Sequence, residues 1–382
     1  MKRVPFTKPS IGKKEVTAVT KALLEGNIGG NGCYTRQAEE RIAERLKARY
    51  VFLTTSATHA LEMAMMCLGI GSGDEVICPS FTFVSTANAI VRQGGIPRFC
   101  DIEPGSLNID IDQIEKCINR RTKAIVPVHY AGFSCDMDRL MKLARRHGLI
   151  VIEDAAQAIG ATCRGRFLGT IGDIGVISFH VTKNITCGEG GVLLTNNSAI
   201  AQRADIIREK GTNRKAFLEG QVHKYTWLDV GSSFIPSDLL AALLLEQLKK
   251  IDRINTKRLR IFDTYYAQLK PLADEGMITL PDLPDFSKSN GHIFWFLVDN
   301  EKTRSVLVRE LNQAGIQATF HYVPLHDSPF GKHRLGYRTG ELPVTESVAR
   351  RLVRLPLFDE LADRDIETIS KTVTHILRKK RS

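Results

Sequence analysis

The sequence of 382 residues lacks the features that mark membrane-spanning and secreted proteins. No apolar run approaches the roughly 20 residues that a bilayer-spanning helix needs. The longest run near the middle of the chain, Leu239 to Leu245, is short enough for the core of an ordinary helix. The first residues, MKRVPFTKPSIGKKE, contain no apolar stretch typical of a signal peptide. We therefore expect a protein with no membrane association.

Cysteine pairs at short spacing are also missing. The eight cysteines lie far apart, and no C-x-x-C pair occurs among them. This spacing argues against a zinc module and against a disulfide scaffold, so we expect no metal site. Scattered thiols are typical of a reducing compartment, and we expect a cytoplasmic protein.

Acidic residues are too few to balance the basic ones. There are 53 Lys and Arg residues against 42 Asp and Glu, and the net charge is +11. A chain this basic attracts polyanions. Its densest basic cluster, RKKRS at the C-terminus, is typical of a solvated helix end, and no nucleic-acid-binding motif is present. We expect no nucleic-acid partner; the phosphate of a cofactor or a nucleotide diphosphate would account for part of the charge.

Short apolar runs alternate with amphipathic segments between residues 50 and 195. The apolar runs are YVFLTT, EVICPS, IPRFCDI, AIVPVHY, LIVIED, IGVISF and GVLLTN. The helical patterns between them cover Ala57 to Leu68, Phe81 to Arg92, Ile111 to Ile118 and Met137 to His147. This alternation predicts an α/β fold with a mostly parallel central sheet and helices on both faces. Ligands of such sheets bind beyond the carboxyl ends of the strands.

The last third of the chain predicts a second, smaller α/β domain. Ser237 to Leu269 has the spacing of one long helix or of two in sequence, and the Pro- and Gly-rich stretch LPDLPDFSKSNG follows it. Beyond this stretch we expect strands in HIFWFLV and IQATFHY and helices from Thr303 to Ala314 and from Ala362 to Leu377. We place the large domain at residues 1–270 and the small one at 271–382. The first forty residues are expected to be helical and to pack against the small domain, although they are counted with the large one.

Two strand ends carry residues suited to carbonyl chemistry. Lys183, in SFHVTKNITCGEGG, follows the apolar run that ends at Phe179, and it is either a solvated surface lysine or a lysine that forms an imine with a carbonyl cofactor. Asp154 ends the strand in VIEDAAQ beside Glu153, and it either faces the ligand crevice or caps a helix. A pyridoxal phosphate site requires such a pair, since the carboxylate keeps the pyridine nitrogen protonated.

A phosphate cradle is predicted at TTSATHALEMA, between a strand and a helix. Its hydroxyl residues Thr55, Ser56 and Thr58 either help the helix N-terminus to bind an anion or simply cap the helix. Ser178 can add a hydroxyl from the next strand end. In PSFTFVSTAN either phenylalanine is a candidate for stacking on a cofactor ring, and both also suit the core. A dinucleotide fingerprint is missing, because GIGSGDEV precedes a strand where such a motif should follow one.

Taken together, these motifs resemble those of the nucleotide-sugar aminotransferases of the aspartate aminotransferase fold, which is pyridoxal phosphate fold type I. The similar stretches are TTSATHALEMA, DEVICPSFTFVSTANAI, KAIVPVHYAG, VIEDAAQAIG, SFHVTKNITCGEGG and REKGTNR with KYTWLDVGSS. The similarity extends from VPF near the N-terminus to LPLF at residues 355–358. Within the family it is greatest to enzymes of surface-polysaccharide synthesis that make dTDP-4-amino-4,6-dideoxygalactose.

The resemblance implies a role for each residue of the cofactor site. Lys183 forms the imine and carries the proton during catalysis, and Asp154 holds the pyridine nitrogen. Gln157 meets the ring hydroxyl, and Phe83, ahead of Phe81, stacks on the ring. The phosphate is bound by Ala57, Thr58 and Ser178.

The resemblance also implies the reaction and the assembly. L-glutamate gives its amine to the cofactor, and a keto-sugar nucleotide, dTDP-4-keto-6-deoxyglucose, then receives it. A homodimer is expected, whose active site is completed by the partner's segment from EKGTNRKAF to DVGSS. Relatives often have a phosphate-binding asparagine in this region, but the aligned residue here is Ile235, and whether Ser232 or Ser233 replaces it is open.

Several alternatives and residues are left open. Amination at carbon 3, or amination of another nucleotide sugar, fits the same motifs. Relatives that dehydrate sugars carry histidine in place of Lys183, and a non-catalytic basic protein would give Lys183 and Asp154 no reason to occur together. His129 and His321 both follow predicted strands and are either substrate-binding or ordinary buried histidines. His180 lies near Lys183 in sequence and has no assigned role.

Overall fold

The computed structural model describes residues 3–26 and 28–381, without the side chain of residue 381. Its helices are α1 Lys13–Leu24, α2 Cys33–Leu46, α3 Ala57–Leu68, α4 Val84–Arg92, α5 Ile111–Cys117, α6 Met137–His147, α7 Ser198–Arg208, α8 Arg214–Leu218, α9 Asp238–Leu248, α10 Ile251–Asp274, α11 Glu301–Gln313, α12 Pro329–Leu335, α13 Pro343–Arg351 and α14 Asp363–Arg381. Its strands are β1 Tyr50–Thr54, β2 Glu75–Pro79, β3 Ile96–Cys100, β4 Thr122–Ile125, β5 Ile150–Asp154, β6 Thr162–Cys163, β7 Arg166–Phe167, β8 Ile174–Ser178, β9 Gly191–Thr195, β10 Ile278–Thr279, β11 Ser287–Lys288, β12 Phe294–Val298 and β13 Leu352–Leu355.

A central seven-stranded sheet forms the large part of the fold, with the strand order β1-β9-β8-β5-β4-β2-β3. The pairs from β8 across to β3 are parallel, and β9 is antiparallel to both of its neighbours. Strands β2, β8 and β9 are buried along their whole length, as expected for strands covered on both faces. The prediction of a mostly parallel sheet is confirmed.

Helices cover both faces of this sheet. On one face Ile42 of α2, Leu140 of α6 and Leu244 of α9 belong to one apolar cluster. On the other face Leu61 of α3 and Ile90 of α4 belong to another. These amphipathic helices bury their apolar sides against the sheet and expose their polar sides. The result is a three-layer α/β fold, as the alternating sequence pattern predicts.

One predicted helix begins later in the structure than expected, and the structure decides between the two alternatives left for another segment. The helix expected from Phe81 begins at Val84, because Phe83 is its N-cap residue and the Phe81 ring packs into the core. The pattern from Ser237 to Leu269 forms two helices, α9 and α10, separated at residues 249–250.

A second sheet, β10-β12-β13, belongs to the C-terminal part of the chain. It packs with α11, α13 and α14 around the fully buried Trp295. The strand expected at IQATFHY is absent from the described structure, and this prediction was wrong. Ile316 and Thr319 each form an isolated bridge, to Val4 and to Arg354 respectively, so no ladder develops.

The N-terminal helices pack differently from our expectation. Ala22 of α1 and Leu46 of α2 join the apolar cluster on the large sheet, and both helices pack against α9. The extended stretch before α1 does reach the second sheet region, through Val4 and through the amide of Phe6, which donates to Gln317 Oε1 at 2.8 Å. The expectation is therefore correct only for this stretch. The domain division at residue 270 stays a prediction, and this position lies inside α10.

Within residues 3–26 and 28–381, no helix is both long and apolar enough to cross a bilayer. The eight cysteines are all free thiols.

Candidate active site

A cavity of about 510 Å³ opens at the carboxyl ends of β5 and β8. The large sheet supplies one wall through its strand ends and the first turns of α3 and α4. The other wall comes from β13, from residues 292–293 and 321–322, and from the N-terminal stretch at Phe6 and Thr7. The position agrees with the rule for parallel sheets.

Lys183 extends into this cavity from the turn that follows β8. Its backbone N–H donates to the carbonyl of His180 at 2.9 Å, which fixes the turn. In the part of the chain that the structure describes, its amine has no hydrogen-bond partner. Burial lowers the pKa of Lys183 to about 8, and the charge of Arg354 acts in the same direction while Asp154 opposes it. A part of the amine is therefore neutral at ordinary pH, which a solvated lysine would not provide.

Asp154 ends β5 and is buried in the same cavity. Its Oδ2 accepts a hydrogen bond from Thr86 Oγ1 at 2.8 Å, and its Oδ1 accepts one from the amide of Ala156 at 3.2 Å. The segment after Asp154 is not helical. The helix-cap interpretation therefore fails, and the carboxylate lies in the ligand crevice.

Gln157 is held by a hydrogen bond at each end of its amide. Its Oε1 accepts from the amide of Ala131 at 2.7 Å, and its Nε2 donates to the Tyr322 hydroxyl at 3.0 Å. Burial raises the pKa of Tyr322 to about 12, so this phenol stays protonated. Gln157 lines the cavity beside Asp154.

The first turn of α3 closes one end of the cavity. Ser56 is its N-cap residue, and its hydroxyl accepts from the amide of His59 at 3.1 Å. The backbone N–H groups of Ala57 and Thr58 lie in the first turn of α3, where no carbonyl of the helix can accept from them. They are therefore available to an anion. A Cβ on Gly191 would overlap the amide nitrogen of Ala57, so only glycine lets β9 pass this close. Capping and anion binding are thus compatible.

Hydroxyl and aromatic groups complete this wall. Thr58 Oγ1 lies 2.7 Å from Ser85 Oγ, and Ser178 lines the cavity at the end of β8. Phe83 also lines it, with 60% of its surface exposed. Phe81 is buried and packs edge-on against Tyr130 at 5.2 Å between ring centroids. Of the two phenylalanines, Phe83 is the one available to stack on a ligand.

The two histidines predicted at the substrate site lie in different environments. His129 is fully buried and does not line the cavity. Its Nδ1 accepts from the amide of Cys135 at 3.2 Å, and its Nε2 lies 2.9 Å from Glu153 Oε2. His129 therefore lies outside the cavity lining, as a buried histidine would, and a substrate role for it stays a prediction. Glu153 also accepts from the amides of Ile171 and Gly172, each at 2.6 Å, and so anchors a loop.

His321 does line the cavity. Its ring stacks on Tyr322 with the centroids 3.9 Å apart, and its Nε2 contacts Nη1 of Arg354. Burial, together with the charges of Arg354 and Lys183, lowers the pKa of His321 to about 2. This histidine is therefore neutral. His180 lies at the mouth, where its Nδ1 is 2.9 Å from Thr182 Oγ1.

Sequence reasoning missed the residues that the second wall contributes. Tyr322, Arg258, His292 and Arg354 line the cavity although they lie far along the chain from Lys183. One signal was available for Arg354, because it is a charged residue inside the apolar strand pattern LVRLPLF. Among residues 3–26 and 28–381 no group of His, Cys, Asp and Glu side chains is arranged to hold a metal ion.

The cavity fits pyridoxal phosphate in the chemistry of its donors. An amine with a lowered pKa can bind an aldehyde. A buried carboxylate can pair with a protonated ring nitrogen. A helix N-terminus with neighbouring hydroxyl groups can bind a phosphate. All three are present on one wall, with Phe83 beside them.

Proteins of known sequence and structure resemble this chain over nearly its whole length. The spore coat polysaccharide biosynthesis protein SpsC of Bacillus subtilis is 35% identical over 382 residues, which cover 98% of this chain and 97% of that protein. PseC of Helicobacter pylori, an aminotransferase involved in the biosynthesis of pseudoaminic acid, is 28% identical with a TM-score of 0.91, covering 99% of this chain and 100% of that one. Spr1654 of Streptococcus pneumoniae in its PLP form is 27% identical with a TM-score of 0.91, covering 99% and 98%.

A model of the DegT/DnrJ/EryC1/StrS aminotransferase family matches residues 9–374. The predicted fold type, the aminotransferase activity and the cofactor are confirmed by these similarities. Since the family match spans almost the entire sequence, the chain belongs to the DegT/DnrJ/EryC1/StrS family and is a pyridoxal-phosphate-dependent sugar aminotransferase.

Proposed function

We propose that the enzyme transfers the amine of L-glutamate to dTDP-4-keto-6-deoxyglucose and so forms dTDP-4-amino-4,6-dideoxygalactose for a surface polysaccharide. The observation that carries the aminotransferase mechanism is the presence of Lys183 and Asp154 in one cavity. SpsC is described as a spore coat polysaccharide biosynthesis protein and Spr1654 as a putative sugar aminotransferase, and both descriptions support a sugar acceptor.

The cofactor would be held by residues from three strand ends and two helix starts. These residues are Ala57, Thr58, Phe83, Asp154, Gln157, Ser178 and Lys183. When bound, pyridoxal phosphate supplies an electron sink that stabilises negative charge on the carbon bearing the amine. The protein's own residues bind the substrates, orient them and move protons.

Lys183 serves as the proton carrier. Its neutral form can accept a proton at Nζ from the carbon that bears the amine, and its protonated form can return one to the carbon that receives the amine. Both forms must be accessible in each cycle. The pKa of about 8 provides both near neutral pH.

The proposed role of Asp154 is to keep the pyridine nitrogen of the bound cofactor protonated. Thr86 and the amide of Ala156 each donate to one carboxylate oxygen, which fixes the plane of the carboxylate. A carboxylate fixed in this way is oriented to pair with a protonated pyridine nitrogen.

The choice of sugar rests on the resemblance of HYAG, GTNR and KYTW to enzymes acting on dTDP-4-keto-6-deoxy sugars. The alternative is a 3-aminotransferase, or a 4-aminotransferase acting on another nucleotide sugar. Dehydration is disfavoured because Lys183 occupies the position at which dehydrating relatives carry histidine. A cytoplasmic location is supported by the eight free thiols, and we propose no nucleic-acid partner.

We also propose a homodimer in which the 209–233 segment of each subunit completes the partner's site. In this segment several large apolar side chains are exposed, including Leu218 at 65%, Trp227 at 76% and Val230 at 67%. Exposed apolar surface of this kind marks an interface. Ile235 is half-buried and cannot donate a hydrogen bond, whereas Ser232 and Ser233 are exposed and can.

We predict that covalent capture of added pyridoxal phosphate depends on Lys183 and on pH. The capture rate should rise about tenfold per pH unit below pH 8 and level off above it, because only the neutral amine is a nucleophile. Borohydride reduction followed by peptide mass mapping should find the cofactor on Lys183. Lys183→Ala should remain folded and lose the attachment and transamination, while the exposed Lys257→Ala should keep both. An active Lys183→Ala enzyme contradicts the role.

Asp154→Asn should bind the cofactor but turn over at least about a hundredfold more slowly, because a neutral amide cannot keep the ring nitrogen protonated. Steady-state turnover and the visible absorbance spectrum measure the two effects separately. The exposed Asp112→Asn on α5 serves as the control for the chemical change. Wild-type turnover by Asp154→Asn would remove the residue from the mechanism.

The proposed shared site predicts that activity depends on the dimer. Trp227→Asp should weaken the dimer in sedimentation experiments, since a charge would be buried at an apolar contact. Its activity should fall in proportion to the dimer fraction as the protein is diluted. Full activity of a preparation that sediments as a monomer would show that each subunit carries a complete site.

The substrate is tested with a panel of keto-sugar nucleotides, each offered with L-glutamate. The product of the dTDP-4-keto-6-deoxy sugar should gain one amine by mass, at carbon 4 by NMR. Turnover of a UDP- or GDP-linked sugar, or amination at carbon 3, without reaction of the dTDP-4-keto sugar, would replace this substrate while leaving the aminotransferase activity in place.

A further inference from the structure

A serine, a histidine and a glutamate form a buried row outside the lining of the cavity. Ser80 follows β2, His326 precedes α12, and Glu346 lies on α13. Oγ of Ser80 lies 2.7 Å from Nδ1 of His326, and Nε2 of His326 lies 3.2 Å from Oε1 of Glu346. Ser80 and His326 are fully buried, and Glu346 is nearly so. We call these three residues the Ser-His-Glu cluster.

The order of the three groups is that of a hydrolytic triad, but the surroundings of Ser80 exclude a nucleophilic role. Its Oγ also accepts a hydrogen bond from the backbone N–H of His326 at 3.0 Å. The residue does not line the cavity and has no exposed surface, so no substrate carbonyl can reach its hydroxyl. The cluster therefore acts on the structure around it.

Hydrogen bonds hold the cluster firmly to its neighbours. A carboxylate only accepts hydrogen bonds, so Nε2 of His326 carries a proton toward Glu346, and in the neutral ring Nδ1 accepts from the Ser80 hydroxyl. Oε2 of Glu346 is paired with Arg350 at 3.1 Å. The carbonyl of Ser80 accepts from the N–H of Leu325 at 3.1 Å. Both the backbone and the side chain of Ser80 are thus fixed to residues 325–326.

The cluster joins the two walls of the cavity from outside. On one side, Ser80 lies shortly before Phe83, which lines the first wall. On the other side, His326 lies shortly after Tyr322, which lines the second wall. The ring of Phe81 packs edge-on against Tyr322, with the centroids 5.4 Å apart. The position of one wall relative to the other therefore depends on the hydrogen bonds of the cluster.

Phe83 has little packing of its own to hold its ring. Its surface is 60% exposed, and it is the N-cap residue of α4 without a side-chain hydrogen bond. The direction of such a ring follows from the backbone that carries it. Next to Phe83, Oγ1 of Thr82 lies 2.9 Å from Oγ1 of Thr86, which ties the segment to α4. Ser80 fixes the start of the same segment.

We propose that His326, held between Ser80 and Glu346, is the positioning residue for Phe83 and so sets the ring-stacking surface of the cofactor site. The proposal rests on the cofactor role proposed for Phe83 above. His326 does not line the cavity and acts through Ser80. Breaking the cluster leaves buried polar groups without partners, and the segment would shift to pair or hydrate them. The ring of Phe83 would then lose its fixed position.

The test measures binding of pyridoxamine phosphate to the cofactor-free chain by equilibrium dialysis. This ligand has the ring and phosphate of the cofactor but no aldehyde to react with Lys183. Wild type, Phe83→Ala, His326→Leu and the double variant are compared, together with the near-ultraviolet circular dichroism of the bound ring. Each single change should raise the dissociation constant about threefold to tenfold and alter the dichroism. The double variant should bind within about twofold of Phe83→Ala, because His326 acts through that ring.

Two further variants separate positioning from general stability. Glu346→Gln keeps an oxygen that can accept from Nε2 of His326, so its dissociation constant should lie closer to that of wild type. Thr195→Val removes a buried hydrogen bond to the carbonyl of Asp173 at the opposite end of the strands. It should lower the unfolding temperature without changing ligand binding. Ser80→Ala takes the place of His326→Leu in every comparison if His326→Leu does not fold.

Three outcomes overturn the proposal and can be told apart. If His326→Leu binds the ligand as tightly as wild type, or if the two losses multiply in the double variant, the cluster is structural support only. Both of these results leave the cofactor role of Phe83 in place. If Phe83→Ala itself binds as tightly as wild type, the role proposed for Phe83 fails, and the positioning role of His326 fails with it.

Discussion

The parallel pairing of β5 with β8 is the constraint on which the active site depends. It sets Asp154 opposite Val176, so the chain leaves both strands over the same edge of the sheet. Asp154 and Lys183 can therefore line one cavity although β6, β7 and β8 lie between them in sequence. Strand β9 positions the predicted phosphate-binding turn. Because Gly191 has no side chain, β9 packs directly against the first turn of α3, and the N–H groups of that turn lie at the same edge of the sheet.

The alternation of side chains along β5 then gives two neighbouring carboxylates different tasks. Successive residues of a strand point to opposite faces. Glu153 points toward the loop at residues 169–172 and accepts from its amides, whereas Asp154 points into the cavity. His129 is hydrogen-bonded to Glu153 and, like it, does not line the cavity. Sequence alone places both carboxylates at the strand end and does not decide which of them faces the ligand.

The sequence predicts the first wall of the cavity well and the second wall poorly, for a physical reason. Lys183, Asp154 and Ser178 are strand-end residues, and strand ends follow from local hydrophobic patterns combined with one rule for parallel sheets. Arg354 reaches the cavity through a bridge to Thr319, and Phe6 does so through the packing of the chain start on the second sheet region. These contacts join distant parts of the chain and leave no periodic signal. The segment IQATFHY has the local pattern of a strand, but its isolated bridges to Val4 and Arg354 depend on distant parts of the chain and do not extend into a ladder.

The charges of the two walls are coupled through Lys183. Burial and the positive charge of Arg354 both lower the pKa of this amine, which favours the neutral form that can accept a proton. His321 adds no charge, because its own pKa is lowered to about 2. The second wall therefore helps to keep part of the amine neutral, and the proton transfers proposed for Lys183 require that form.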